Sequence, residues 1–226
     1  MWRLLYNLFF PPRCAGCDRP LGKHERVLCH SCIDQLPFTE QGFKPDNQAA
    51  HLLTSKVTVY RATALMFYHK KHLSGELIHR LKYRGYRQIS ERLGELLAPE
   101  IQSDPPDIVI PVPLHPKKFK IRGYNQVEGF ARIIARETRA DYRSDILFKT
   151  VHTASQTRMT PLERWHNVLK TFSVRYDPEL NGKHLLVTDD VLTTGATLSA
   201  AIKALQDAFP EARISVAVMA LNDEYL

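Results

Sequence analysis

Two rhythms of apolar and polar residues divide this chain into elements. Asp107–Val112 and His184–Thr188 are short, nearly unbroken apolar runs, the pattern of buried strands, and Val57–Tyr68, rich in Val, Thr, Tyr and Phe, predicts one or two more. Elsewhere apolar positions return every three or four residues. Leu73, Leu77, Ile78 and Leu81 mark one helix, Asn125–Thr138 a second, and Leu198, Ile202, Leu205 and Phe209 a third. Between Pro37 and Asn47 a polar stretch with Gly42 and Pro45 reads as a linker.

Composition adds a size and a charge to this outline. With 226 residues, 44% hydrophobic and 24% charged, the chain suits one main domain with a small appendage. A formal charge of +7 calls for an acidic partner, either a polyphosphate ligand or nucleic acid, and does not choose between them. The opening Met1–Phe10 has an arginine before an apolar stretch, but it is too short for a secretion signal and Pro11-Pro12-Arg13 offers no small-residue cleavage site. A short amphipathic helix packed on its own domain is expected there. The protein is placed in the cytoplasm, with peripheral contact at the inner membrane as the lesser use of that helix.

The densest chemistry lies at Val187–Leu198. A buried strand ending near Thr188 would deliver Asp189 and Asp190 to its carboxyl end, where open α/β sheets bind ligands. Two carboxylates there can accept from vicinal sugar hydroxyls or hold a hydrated magnesium ion chelated by a diphosphate. Thr193, Thr194, Gly195, Ala196 and Thr197 follow, small residues whose backbone N–H groups, at a helix start, would cradle a phosphate. A plain helix cap is the competing reading, but a cap needs one such residue. Here two acids, three threonines and a glycine occupy nine positions.

All four cysteines form two knuckles, Cys14-x-x-Cys17 and Cys29-x-x-Cys32, with eleven residues between them. This spacing predicts a closed, structural zinc site rather than a catalytic one. Two disulfides fit a cytoplasmic chain less well, and a redox Cys-x-x-Cys would not need duplicating. His24 and His30 are not needed as ligands and read as surface residues.

Two basic segments remain. Lys70, Lys71, Arg80, Lys82, Arg84 and Arg87, interleaved with Tyr83 and Tyr86, form either a nucleic-acid surface, with Lys82, Arg84 and Arg87 as its candidates, or a solvated helix face. After Pro111-Val-Pro-Leu-His-Pro116 come Lys117, Lys118, Lys120 and Arg122, with no acid until Glu128. A basic loop at a strand end suits the diphosphate half of a ligand better than an exposed turn, with Lys117, Lys118 and Arg122 as its residues.

Val187–Leu198 resembles the binding motif for 5-phosphoribosyl 1-diphosphate (PRPP) of type I phosphoribosyltransferases, with Thr188 where an aliphatic residue is usual. The zinc-ribbon start, Leu81-Lys-Tyr83, Pro111-Val-Pro113, Arg122-Gly-Tyr-Asn-Gln126, Gln156 and Arg164-x-x-Asn167 extend the resemblance, in order, to the ComF family from about Cys14 to Leu221, with Tyr124 where Phe is more common. The resemblance implies an α/β type I phosphoribosyltransferase fold, a twisted and mostly parallel sheet flanked by helices, over residues 46–226, preceded by a zinc ribbon over residues 1–45. It implies that Asp189 and Asp190 hold the ribose, that residues 193 to 197 hold the 5′-phosphate, and that Mg²⁺ accompanies PRPP. Acceptor choice would fall to a hood near residues 57–100. Transfer of the phosphoribosyl group to an acceptor is one implied role. The other is a PRPP sensor or binding module in natural competence, meeting single-stranded DNA or an uptake helicase.

Overall fold

A computed structural model describes residues 11–149 and 171–222. Five parallel strands form one sheet in the order β1-β7-β6-β2-β3: β1 (Ala62–Phe67), β2 (Ile108–Pro111), β3 (Asp141–Tyr142), β6 (His184–Leu192) and β7 (Arg213–Leu221). A short antiparallel pair, β4 (Leu147–Lys149) and β5 (Phe172–Val174), stands apart. The central strands read as unbroken apolar runs because helices cover both faces of the sheet. Alternation then sorts their side chains. Leu186, Ala217 and Met219 face helices α3 (Leu73–Tyr83), α4 (Gln88–Ile101) and α6 (Glu128–Thr138), while Leu185, Val187 and Val218 face α2 (Gln48–Thr54) and α7 (Ala196–Ala208). Helices α4 and α6 approach closely at Gly94, where an added Cβ would sit 3.0 Å from both the Phe130 carbonyl oxygen and the Ile133 side chain.

The order of strands fixes where a ligand can enter. From β2 the chain crosses through α6 to β3 on one side, and from β6 it crosses through α7 to β7 on the other. The carboxyl ends of β2 and β6 therefore flank a crevice at the switch point of the sheet, the position at which α/β sheets bind ligands.

Several local expectations need correction. Residues 37–44 are not a free linker: they run antiparallel along β1, with Lys44 N–H to the Ala62 oxygen at 3.2 Å, Ala62 N–H to the Lys44 oxygen at 2.9 Å, and Phe67 N–H to the Pro37 oxygen at 2.8 Å. They satisfy the edge of β1 and cover it. Strand β6 continues through the two acids to Leu192, still paired with β7. The basic segment after Pro116 is a helix, α5 (Pro116–Arg122), ended by Gly123. Helix α6 begins at Glu128, not Asn125, because the Asn125 side chain closes a turn, accepting from Val127 N–H at 3.2 Å and donating to the Val112 oxygen at 3.0 Å. Apart from these corrections, residues 57–100, where a hood is expected, contain the edge strand β1 and helices α3 and α4.

The cysteine segment, which contains the short helix α1 (His30–Asp34), shares the core on the α3–α4 face. Cys14, Ala15, Leu28, Cys29 and Cys32 pack in one cluster with Leu77, Leu81 and Leu93. Arg80 of α3 fastens it, donating to the Ala15 oxygen at 3.1 Å, to both Asp18 oxygens at 3.1 Å, and to Glu76 at 2.7 Å. Among the described residues no helix is long and apolar enough to cross a membrane.

At the opposite end of β6 from the acids, His184 is buried. Its Nδ1 faces the Pro105 oxygen at 3.3 Å, an acceptor, so Nδ1 carries the proton and Nε2 accepts from the Ser215 hydroxyl at 2.8 Å. Burial holds its pKa below the usual imidazole value. The folded state keeps His184 neutral where the unfolded chain takes up a proton, near pH 6.5. Stability from this group is therefore present above that pH and lost as pH falls through the depressed value. Urea unfolding at pH 7.5 and 5.5 should show a smaller loss of stability on acidification in His184→Gln than in the parent protein.

Candidate functional site

The site is built on the carboxyl end of β6. Asp189 and Asp190 are successive residues of an extended strand, so their side chains leave it on opposite sides. Asp190 is 7% exposed and both of its oxygens have partners: Lys82 Nζ at 3.0 Å from Oδ1, and Gln126 Nε2 at 2.6 Å from Oδ2. Gln126 in turn accepts from Arg122 at 2.8 Å, and the Arg122 guanidinium lies 5.2 Å from the centre of the Tyr83 ring. Asp189 accepts the Asp190 backbone N–H at 2.8 Å. Burial, and then the charge of Asp190, push its pKa up to about 7.

Beyond the strand, Thr193 and Thr194 are exposed and the chain turns at Gly195, whose φ of +74° favours glycine. A Cβ there would also lie 3.1 Å from the Leu53 side chain and 3.3 Å from the Leu52 oxygen of α2. Lys56 donates to the Thr194 carbonyl oxygen. Across the trans peptide the Gly195 N–H points the opposite way from that carbonyl. Gly195 caps α7 without a side-chain hydrogen bond, which leaves the helix start to an anion.

A cleft of about 160 Å³ opens beside the acidic pair, and of residues 193 to 197 Thr197 alone lines it. Asp189, Asp190 and Thr197 line it together with Lys82, Lys118, Arg122, Gln126 and Lys149. Four cations thus face two carboxylates, an excess that suits a polyanion. Lys118 and Arg122 reach it from one face of α5, four residues apart. Lys117, expected with them, does not line the cleft, because one residue of helix turns it to another face. Lys82 also departs from expectation: it enters the cleft and pairs with Asp190 instead of extending the exposed basic surface. Arg87 stacks on the Tyr124 ring at 4.3 Å, and Tyr83 and Tyr86 are 68% and 43% exposed beside Arg84.

Two residues were not singled out by sequence. Lys149 of β4 is partly buried in the cleft, and burial lowers its pKa. Lys56 holds the loop. Neither belongs to a motif, and no local signal marks them. The hydroxyl that distinguishes Tyr124 from Phe donates to the Leu81 oxygen and so ties the end of α3 to the segment before α6. Gln156, Arg158, Arg164 and Asn167, and the N-terminal helix expected over residues 1–10, lie outside the described residues.

The four cysteine sulfurs lie within 4.8 Å of one another, the single group of this kind among the described residues. Cys17 Sγ and Cys29 Sγ are 3.7 Å apart, against about 3.8 Å between sulfurs on a tetrahedral zinc with Zn–S bonds of about 2.3 Å. Backbone N–H groups of Gly16 and Cys29 point at Cys14 Sγ, both at 3.3 Å, and that of Cys32 at Cys29 Sγ at 3.4 Å, as thiolate ligands require. No disulfide joins them. His24 is exposed and His30 faces Glu25 at 3.2 Å, so neither replaces a thiolate.

Comparison with known proteins matches residues 5–43 to the double zinc ribbon domain and residues 129–225 to the phosphoribosyl transferase domain. DNA utilization protein YhgH of Escherichia coli O157:H7 is 30% identical over 130 residues, 54% of this chain and 56% of that protein, so the match spans little more than half of that relative. Competence protein F of Haemophilus influenzae is 26% identical over 212 residues, 88% of this chain and 92% of its own. Among solved structures, adenine phosphoribosyltransferase from Leishmania tarentolae covers 81% of this chain and 91% of its own, with 12% identity and a TM-score of 0.39.

Proposed function

Since this chain belongs to the ComF family, a zinc ribbon joined to a phosphoribosyltransferase domain, we propose that the cleft at the end of β6 binds PRPP. One observation carries the reading: an acidic pair and an excess of cations line a single cleft at the switch point of the sheet, with Thr197 from the first turn of α7 beside them. In this assignment Thr193–Thr197 receive the 5′-phosphate, Asp189 and Asp190 the ribose hydroxyls, and Lys118, Arg122 and Lys149 the diphosphate. The donor set fits an Mg²⁺ brought in by the diphosphate better than a resident ion, because Asp190 has no oxygen without a partner and Asp189 has one engaged. That ion would neutralise charge on the departing diphosphate. The residues of the chain would orient the sugar and exclude water from C1.

The exposed Tyr83 and Tyr86 with Arg84 and Arg87 favour a second role at a different surface, contact with single-stranded DNA during uptake, at the cytoplasmic side and alongside a helicase. The cleft itself would serve either as a transferase site or as a PRPP sensor. Calorimetric titration with PRPP, with and without Mg²⁺, tests the shared claim, and diphosphate release with pooled nucleobases and amines then separates the roles. Saturable binding with release means transfer; saturable binding without release means sensing. No binding overturns the reading. Replacing Arg84 and Arg87 by Ala should lower the salt dependence of single-stranded DNA binding by about 0.7 for each phosphate that is no longer neutralised, and leave PRPP binding unchanged.

A further inference from the structure

We propose that Lys82 is a specificity-determining residue, which makes the cleft prefer a sugar carrying a 1-diphosphate over the plain sugar 5-phosphate; the inference rests on the PRPP reading. Both oxygens of Asp190 have protein partners, Lys82 at 3.0 Å and Gln126 at 2.6 Å. Each oxygen keeps a second accepting position, but a ribose hydroxyl that enters from the cleft meets the Lys82 ammonium, which lines the cleft and sits on Asp190. Gln126 is buried and held from behind by Arg122 at 2.8 Å, so it is the partner that stays. Lys82 is the one that yields. It is the next-to-last residue of α3, its side chain is 23% exposed, and its ammonium ends a flexible four-carbon stem that can swing without moving the backbone.

Taking an ammonium off a buried carboxylate forfeits a charge-assisted hydrogen bond. The loss is offset only when the ammonium finds another anion within its reach. Lys82 lines the same cleft as Lys118 and Arg122, where the diphosphate is assigned. PRPP therefore supplies the ribose that displaces Lys82 and the diphosphate that receives it. Ribose 5-phosphate supplies only the first. Lys82 would penalise the smaller ligand through its pairing with Asp190 and reward the larger one through its pairing with the diphosphate.

The test is the ratio of dissociation constants for ribose 5-phosphate and PRPP, measured with Mg²⁺ on the whole protein and on Lys82→Met and Lys82→Arg. The ratio is independent of the fraction folded, because any loss of folded protein weakens both ligands equally. The parent should favour PRPP. Removal of one charge-assisted hydrogen bond predicts a fall in that preference of about tenfold or more in Lys82→Met, with ribose 5-phosphate bound as well as or better than by the parent. Lys82→Arg, which keeps the charge, should retain most of the preference. An unchanged ratio in Lys82→Met, with both ligands bound, overturns the inference and leaves the PRPP reading standing. Failure of the parent to bind either ligand overturns that reading and this inference with it.

Discussion

Replacing Cys14 and Cys17 together by serine, or stripping the protein with a strong chelator, is expected to lower its melting temperature by about 10 °C or more and to weaken ligand binding in a cleft that contains no cysteine. The size of the effect follows from where the ribbon packs. Cys14, Ala15, Leu28, Cys29 and Cys32 are buried in the same cluster as Leu77, Leu81 and Leu93, so opening the ribbon exposes the main core. It also strips Arg80, 9% exposed, of the Ala15 carbonyl and Asp18. A buried guanidinium left with fewer partners is costly. Arg80 lies two residues from Lys82 on α3, so the disturbance reaches Asp190 by a short path. Metal analysis should give one zinc per chain, absent from the double variant. A metal-free protein that melts at the parental temperature would refute the structural role.

Asp189→Asn should abolish most PRPP affinity and yet stabilise the fold at neutral pH. An amide loses the charge-assisted bonds that an ionised carboxylate gives to sugar hydroxyls, an effect on the order of a hundredfold. The gain in stability comes from the raised pKa. Burial and the neighbouring Asp190 push Asp189 up to about 7, whereas an unfolded aspartate titrates near 3.9. Between these values the folded state holds a proton that the unfolded chain has released, so stability falls as pH rises through that window. At pH 8 the folded protein carries the whole cost of the ionised group. The variant removes it, and thermal melts at pH 5 and pH 8 should show a smaller fall in stability with rising pH in Asp189→Asn than in the parent. PRPP affinity of the parent should rise between pH 6 and 8 relative to the variant. Parental affinity in the variant would remove Asp189 from the site.

The parts of this site that could be read from sequence are those built by neighbours in the chain. A strand, two acids, a threonine–glycine loop and a helix start are contiguous, and two Cys-x-x-Cys knuckles announce their own geometry. The remainder depends on contacts between distant segments. Nothing near Lys82 says that the end of α3 will meet the end of β6, so its charge reads as part of an exposed basic face. Lys56 and Lys149 carry no motif, and reach the site because α2 backs the loop and β4 borders the cleft. The stretch from Pro37 to Asn47 has the composition of a loop, and its role in covering the edge of β1 lies in backbone hydrogen bonds that composition does not encode. Helix α5 did leave a signal. Pro116 sits at its first turn and Gly123 just past its end, the asymmetry that frames a helix. Recognising that frame also places Lys118 and Arg122 on one face and sets Lys117 apart.

The most direct test is a crystal structure of the protein with PRPP and Mg²⁺. If the PRPP assignment is right, the 5′-phosphate lies at Gly195 and the start of α7, the ribose hydroxyls on Asp189 and Asp190, and the diphosphate beside Lys118 and Arg122, with the Lys82 ammonium moved off Asp190. PRPP bound in the reverse direction, or outside the crevice between β2 and β6, would contradict it.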